Sequence, residues 1–400
     1  MIANKVLSES NVILCGLAFT SRTETLEDYL RRRVKSLTVI ALSSCFLKEN
    51  LSECRIYRGG ELENKFSIAN FRIRGYRGLW QPLILLVFAV NWAALFLMVL
   101  KLRKKFSFCI SVSHSFALIG TLFKKTGISR KLIYYCIDYY IPEDKVNFNS
   151  LFVKAINVVD RLAVNSADMI WDISPNIAGY RHKFGRIPQG SYRHTVVPLG
   201  YARSLARFRP VEEINRWAIG FIGTITASQG LELLVEAMPG ILRQFPLIKA
   251  RIIGEGHYLE ELKSLVLQKG LGAYFTFYGF IKDEQEMLDI LSRCAIGVAL
   301  WSSSSDTQNI TCADPGKTKL YALCGLPIIT TTCCRLSGEI DTQGIGIAID
   351  YDKEALSAAV IKLLSQEQLL REYKARVAAY AENFFSEGIF EKALSDLKSL

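Results

Sequence analysis

Residues able to do chemistry are most concentrated between Asp314 and Thr330, in the stretch DPGKTKLYALCGLPIIT. Asp314, Pro315 and Gly316 are turn formers that hold the backbone out of a helix. Lys317 to Cys324 then reads as a short helix, with Leu320 and Leu323 or Cys324 on one face. Gly325 ends it in the left-handed conformation, and Ile328, Ile329 and Thr330 form a β-branched strand. A glycine-marked loop entering a helix offers unpaired N–H groups and the positive end of the helix dipole, which together suit an anion. Lys317 in the first turn would be the counter-charge to a phosphate, with Asp314, Gly316 and Thr318 as its neighbours in the binding turn. The competing reading is an ordinary loop–helix–strand unit with Lys317 solvated, and one such stretch does not decide between them.

Two further residues sit where open α/β sheets place their ligands, at the carboxyl ends of strands. His114 follows the strand Phe108 to Ser113, and Asp138 ends the strand-like run KLIYYCIDYY. A lone His serves packing as readily as function. Gly16, in NVILCGLAF, is a candidate loop glycine or a plain turn.

The elements that must position these residues alternate in type. Asn11 to Phe19 reads as a strand, Thr20 to Lys35 as a helix and Ser36 to Leu42 as a strand, the opening of a doubly wound sheet. The alternation continues to Thr195–Gly200. Polar sequence containing Pro210 then runs to Arg216 and reads as a linker. A second α/β run starts at AIGFIG, Ala218 to Gly223, and includes a strand that breaks at Gly254-Glu255-Gly256. The expected fold is α/β with two Rossmann-like domains: 1–210, 211–382, and a C-terminal helix, 383–400, crossing back to the first.

Composition narrows the function classes. Half of the 400 residues are hydrophobic, enough for large cores. The ten Cys are scattered without a C-x-x-C, and there are four His, so neither a disulfide framework nor a metal site is expected. No signal peptide is evident, and reduced thiols in the cytoplasm fit. The net charge of +11 is unevenly spread: residues 1–212 carry 31 Lys+Arg against 15 Asp+Glu, and residues 213–400 carry 18 against 23. A basic front half attracts polyanions or an anionic membrane face. Nucleic acid is not expected, since no zinc finger, RNP-like motif or basic helical repeat is present.

Trp80 to Leu100 is the most apolar stretch, bounded by Arg72, Arg74 and Arg77 before it and by Lys101, Arg103, Lys104 and Lys105 after it. Its length is near the roughly 20 residues of a membrane span. Against a span stand Asn91 in its middle, cations at both ends, and a core strand directly after it. A buried core helix, or a helix with an exposed apolar flank at a membrane interface, are the alternatives.

Several segments, taken together, resemble a known family. GFIGTITASQGLELLVEAMP, RIIGEGHYLEELKSLV, FTFYGFIKDEQEMLDILSRCAIGVAL and DPGKTKLYALCGLPII are similar in order and spacing to the donor-binding domain of GT-B glycosyltransferases, nearest the large retaining family of bacterial cell-surface sugar transferases. VVPLG, ADMIWDISPNIAGYRHKFG, His114 and IDYYIPE resemble its front half more loosely. Departures are clear: Thr224 stands at the family's Arg, Gln229 at its Lys, and Leu320 at the second of its two Glu, while Pro315, Lys317 and Tyr321 keep a Pro-x-Lys-x-x-Glu-Tyr pattern without the Glu.

The resemblance implies an enzyme that moves a sugar from a nucleotide donor to a lipid-linked or growing glycan acceptor, with retention and without metal or other cofactor. Gly223, Thr224, Gln229, Gly254, Gly316, Thr318 and Lys317 would serve the diphosphate, and Phe280 and Ile281 would line the base. His114 and Asp138 would hold the sugar or manage an acceptor proton. The expected setting is peripheral, on the inner face of the cytoplasmic membrane. The missing Glu and Arg leave a second expectation: a non-catalytic GT-B subunit of a glycan-assembly complex.

Overall fold

The computed structural model describes residues 7–17, 21–43, 52–71, 81–142, 148–302 and 314–396. It divides into two units, residues 1–200 with 386–400, and residues 201–385. The chain therefore changes unit at Gly200, ahead of the polar stretch around Pro210. Tyr201 to Arg207 already belong to the second unit: Tyr201 N–H donates to Phe384 O at 2.9 Å and Arg207 N–H to Leu323 O at 2.8 Å.

In the first unit, β1 (Asn11–Leu17) is followed by α1 (Ser21–Arg31) and β2 (Ser36–Leu42), as the alternation predicts. β1 is parallel to β2 and to β5 (Phe106–Val112). Gly16 lies inside β1, opposite Ala41, and not in a ligand loop. A Cβ there would stand 2.7 Å from Thr23 Oγ1, so this glycine lets α1 approach the strand. An antiparallel hairpin, β3 (Glu53–Arg58) and β4 (Glu61–Ser67), extends the sheet edge beyond the sequence-based expectation. Its sequence signal is the Gly59-Gly60 turn, both residues at positive φ.

α2 (Gln81–Lys101) leads into β5; Arg72, Arg74, Arg77 and Trp80 lie outside the described residues. α2 is two-sided. Asn91, Leu95 and Val99, four residues apart, are buried, while Leu86, Val90, Leu97 and Leu100 are exposed. Asn91 accepts from Phe71 N–H at 2.8 Å and donates to Phe71 O at 3.0 Å, which fastens the helix to the chain entering it. A wholly buried core helix is excluded by this arrangement, since one face is exposed and the other is packed in the apolar core of the unit. Among the described residues no helix is long and apolar enough to cross a membrane.

α3 (His114–Lys125), β6 (Ser129–Cys136), α4 (Phe148–Ser166), β7 (Met169–Asp172), α5 (Asn176–Gly185) and β8 (His194–Val196) complete the wound half, in the order β4-β3-β2-β1-β5-β6-β7-β8. One fully buried cation joins these layers. Arg181 donates to Asp160 on α4 at 2.8 Å and to Asp172 at the end of β7 at 2.9 Å, and to Tyr192 OH at 2.8 Å. Asp160 also accepts from Tyr134 OH at 2.9 Å.

The second unit opens with β9 (Asn215–Ile222) and continues through α6 (Leu231–Leu242), β10 (Lys249–Ile253), α7 (Leu259–Gln268), β11 (Phe275–Gly279), α8 (Glu284–Ser292) and β12 (Cys294–Ala299). Then come α9 (Gly316–Leu323), β13 (Ile328–Thr331), α10 (Ser337–Thr342), β14 (Gly346–Ile349), α11 (Lys353–Ser365) and α12 (Glu367–Tyr380). Among the described residues its strand pairings are all parallel, in the order β11-β10-β9-β12-β13-β14, with apolar clusters on both faces. The last helix, α13 (Ser386–Ser395), belongs to the first unit and sets Phe390 against Tyr29 of α1, ring centroids 5.3 Å apart.

Replacing Arg181 by Met removes the cation between two buried carboxylates. It should cost about 3–5 kcal/mol of stability, read from the urea midpoint. An unchanged midpoint would mean that the carboxylates are satisfied without it.

Candidate active site

In a parallel sheet the carboxyl ends of the central strands form a crevice, and the sequence of the second unit shapes it with small residues. Gly223, φ 141°, directly follows β9, and Gly254, φ 134°, directly follows β10. A Cβ on Gly254 would stand 2.0 Å from Gly223 O, so only glycine allows these two strand ends to touch. α9 enters the same place. It starts after Pro315 with no side-chain cap, which leaves its first-turn N–H groups without a side-chain acceptor.

Lys317 extends from this first turn across the strand ends. Its ammonium donates to Gln229 Oε1 and lies 4.4 Å from the ring centroid of Phe221 and 4.8 Å from that of Trp301. A Cβ on Gly223 would lie 3.5 Å from Lys317 Nζ. Among the described residues no carboxylate pairs with this ammonium. Burial pushes its pKa from 10.5 down to about 7, with the buried Cys334 thiol nearby opposing the shift. The sequence reading with Lys317 solvated is thus replaced by a half-buried cation held between two aromatic faces and an amide.

Lys319, one residue removed, behaves oppositely. It forms a buried ion pair with Asp314, and Arg335 Nη2 approaches the second oxygen of that carboxylate at 3.9 Å. Asp314 is therefore an anchor of the loop and not a ligand residue. Thr318 is buried, and its hydroxyl donates to Pro315 O at 2.7 Å, closing the first turn of α9, so only its backbone N–H is left to face a ligand. The Asp314–Lys319 pair, Trp301 and Phe221 were not singled out by sequence. The one signal for the pair was the opposite charge five residues apart.

Of the other expected residues, Gly223, Gln229, Gly254 and Gly316 gather around Lys317 and the adjoining strand ends. Thr224 is exposed beside Gly223. Phe280 is 71% exposed, past the end of β11, and its N–H donates to Glu255 Oε1 at 3.4 Å. Ile281 is half-buried against the apolar cluster that Leu320 also joins. In the first unit, Asp138 is exposed two residues beyond β6.

His114 is the first residue of α3, preceded by Ser113 in a positive-φ conformation, φ 71°. Its ring meets Tyr140 edge-on at 5.5 Å, and its Nδ1 is buried without a hydrogen-bond partner. Burial lowers its pKa to about 4, against the opposing pull of Asp160. A base that weak is poorly matched to neutral pH, so this His is suited to hydrogen bonding and not to proton abstraction.

Residues 203–384 match the family model of glycosyl transferases group 1. The second unit thus matches that family model along nearly its whole length. No curated protein sequence matches the chain. Among solved structures it is similar over nearly its whole length to HepE of Anabaena in complex with UDP, with TM-score 0.65, 15% identity, and 98% and 100% of the two chains covered. The sucrose-phosphate synthase of Thermosynechococcus elongatus gives TM-score 0.72 at 13% identity, covering 98% and 99%. WaaG, a glycosyltransferase involved in lipopolysaccharide biosynthesis, gives 0.64 at 14%, covering 96% and 98%. At such identities the likeness carries the fold, which is GT-B, with the group 1 domain as its second half.

Within the group 1 domain, Leu320 is half-buried and apolar-packed. Leu320→Glu should cost about 1–3 kcal/mol at pH 7 for a carboxylate without a partner. The native pKa of that Glu would be raised, so the loss should vanish on acidification and grow as pH rises. A mutant as stable as the parent at pH 7 would show that position 320 opens to solvent.

Proposed function

We propose that the protein is a metal-independent glycosyltransferase that moves a sugar, with retention, from a nucleoside-diphosphate donor to a lipid-linked or growing glycan acceptor. The observation that supports this most is the ammonium of Lys317, paired with no carboxylate among the described residues, at the strand ends of the unit that matches the group 1 family model. Breaking the donor bond leaves a diphosphate with one more negative charge. A desolvated cation and preorganised N–H groups stabilise that charge more than they stabilise the neutral bond before it. HepE has also been solved with UDP and glucose and with UDP-glucose, which is consistent with this class of donor.

In this reading Lys317 meets the diphosphate with the N–H groups that open α9, and Gln229 holds the ammonium in place until it arrives. Thr224, in the position of the family Arg, offers a hydroxyl without charge, so Lys317 carries the electrostatic role alone among the matched positions. Phe280 stacks on the base, and Ile281 supports it from the core side. His114 and Asp138 hold hydroxyls of the sugar or acceptor. The alternative, a non-catalytic GT-B subunit, draws on Leu320, whose apolar packing leaves no carboxylate there for the ribose. Donor-dependent turnover by the purified protein alone would eliminate it.

Lys317→Ala should reduce turnover by about 10²-fold or more. Because the free ammonium is desolvated, its loss should leave stability level or slightly higher. The pH effect follows from linkage. The folded pKa, about 7, lies below the unfolded 10.5, so in that window the empty site lacks a proton that the unfolded chain holds. Stability from this group therefore rises with pH, while diphosphate binding must take up a proton. UDP affinity should fall as pH rises above about 7 in the parent and not in Lys317→Ala, measured by titration calorimetry in buffers of different ionisation heat. Identical pH profiles would remove Lys317 from the site.

We further propose that the first unit docks peripherally on an anionic, inner-face membrane surface. The exposed apolar line of α2 supplies insertion, and Lys101, Arg103, Lys104 and Lys105 supply charge. Binding to anionic vesicles should decline with salt, within a screening length of about 10 Å, and neutral vesicles should bind little. Changing Arg103, Lys104 and Lys105 to Gln should weaken it without unfolding. Absence of vesicle binding would end this part of the proposal.

A further inference from the structure

A cavity of about 440 Å³ opens beside the amino ends of β9 and β13, at the opposite edge of the second sheet from Lys317. Sites for small molecules commonly measure about 300–1,000 Å³. Three pieces of chain form this one. They are the segment Phe208 to Val211 ahead of β9, Gly325 between α9 and β13, and the face of α12 that carries Arg371, Lys374, Ala375 and Ala378. Those four residues recur at helical spacing and so share one face. α9, about 12 Å long at the rise of an α-helix, thus has Lys317 in its first turn and this cavity beyond its last.

Lys374 is buried, and its ammonium donates to Gly325 O at 2.9 Å. That carbonyl lies just past the end of α9, where the helix dipole favours a cation. It takes one of the three ammonium hydrogens and supplies no full negative charge. Among the described residues no carboxylate pairs with Lys374. Burial pushes its pKa from 10.5 down to about 8, against the opposing pull of the Cys324 and Cys294 thiols. The two guanidiniums that also line the cavity are already answered, Arg209 by Asp289 and Glu213, and Arg371 by Glu212 and Glu367. The open charge is therefore that of Lys374, and a buried charge is costly until a counter-charge reaches it. The remaining walls are apolar, and the ring of Phe208 is 45% exposed. A Cβ on Gly325 would lie 3.3 Å from Phe208 Cδ1 and 4.0 Å from Lys374 Nζ, so the ring edge and the ammonium flank one spot. Gly325 stands at φ 64°, a conformation that favours glycine and keeps that spot free of a side chain. An inorganic ion would leave these walls wet, and an uncharged guest would leave the ammonium unanswered.

We infer that this cavity binds a small organic anion, a phosphate or carboxylate head on a flat apolar body, with the head on Lys374 and the body between Phe208 and α12. The site lies at the other end of α9 from Lys317 and stands apart from the donor reading. Its ligand would tie the segment ahead of β9 to α12 and to the end of α9.

Equilibrium binding to the full chain tests this with 1-naphthyl phosphate, 1-naphthoate, 1-naphthol and inorganic phosphate as probes. At least one of the two naphthyl anions should bind about tenfold tighter than both 1-naphthol and inorganic phosphate, and the better of the two identifies the head. Lys374→Met keeps the bulk and removes the charge, so it should fold and lose that advantage. Ala375→Trp, which fills the cavity from an exposed position on α12, should lose it as well. Lys317→Ala should bind the naphthyl anions as the parent does. Naphthyl anions that bind the parent no tighter than 1-naphthol or inorganic phosphate would overturn the inference. So would parent-like binding by folded Lys374→Met and Ala375→Trp. Loss of binding in Lys317→Ala would also overturn it, because the probe would then sit at the carboxyl ends of the strands. None of these arms uses UDP, so failure here is distinguishable from failure of the glycosyltransferase reading.

Discussion

A half-buried ammonium with no carboxylate partner among the described residues is a standing electrostatic cost, and the second unit is shaped around keeping one. Lys317 has two aromatic faces and one amide oxygen for company, which soften its desolvation without neutralising it. A carboxylate in place of Gln229 would satisfy the charge better and would also compete with any incoming anion. The neutral partner is therefore the informative choice: it fixes the direction of the side chain and leaves its charge available. Burial with only a neutral partner also accounts for the lowered pKa, because desolvation of the ammonium is not offset by a negative charge.

The contrast between Lys317 and Lys319 shows how one short helix does two jobs. On one side of α9, Asp314, Lys319 and Arg335 form a buried charge cluster that ties the loop before the helix to the chain after β13. Such pairs add little net stability, but breaking one leaves an uncompensated charge, so they hold geometry. On the other side Lys317 has a neutral partner, Gln229, and no carboxylate among the described residues. The helix is thus pinned by one lysine so that the other can be aimed. Tyr321, one turn on, strengthens the pinning: its hydroxyl donates to Val298 O at 2.7 Å and accepts from Ile222 N–H at 3.3 Å, linking α9 to both β12 and β9.

How much of this is legible in sequence depends on whether the controlling contact is local. The alternation of strands and helices and the helix stop at Gly325 rest on neighbours within a few residues, and both are present in the structure. Gly16 was read as a loop because the residue that needs its missing Cβ, Thr23, is on the next helix. Asp314 and Thr318 looked like ligand residues because turn chemistry and ligand chemistry use the same side chains; only burial separates them. The hairpin β3–β4 is mostly polar on its outer strand, so period-two alternation is faint. Arg181 is the hardest case, since nothing distinguishes a buried cation from a surface one until its two carboxylates, from different elements, are seen around it.

The two-sidedness of α2 was the least decidable feature from sequence and has the widest consequence. A helix apolar all round is at home in a core or in lipid, and its sequence alone does not say which. Asn91 decides the inner face, because a mid-helix amide that pairs with both backbone groups of Phe71 must face protein. Once that face is fixed, the period of the helix forces Leu86, Val90 and Leu97 outward, whatever they then meet. Their exposure is therefore not an accident of a poorly filled core; it is the geometric complement of the Asn91 contact. A chain that needed only a soluble crossover helix could place charges at those outer positions without cost to the inner face. The exposed Leu151, Val158 and Leu162 of α4 add to the apolar surface that α2 presents.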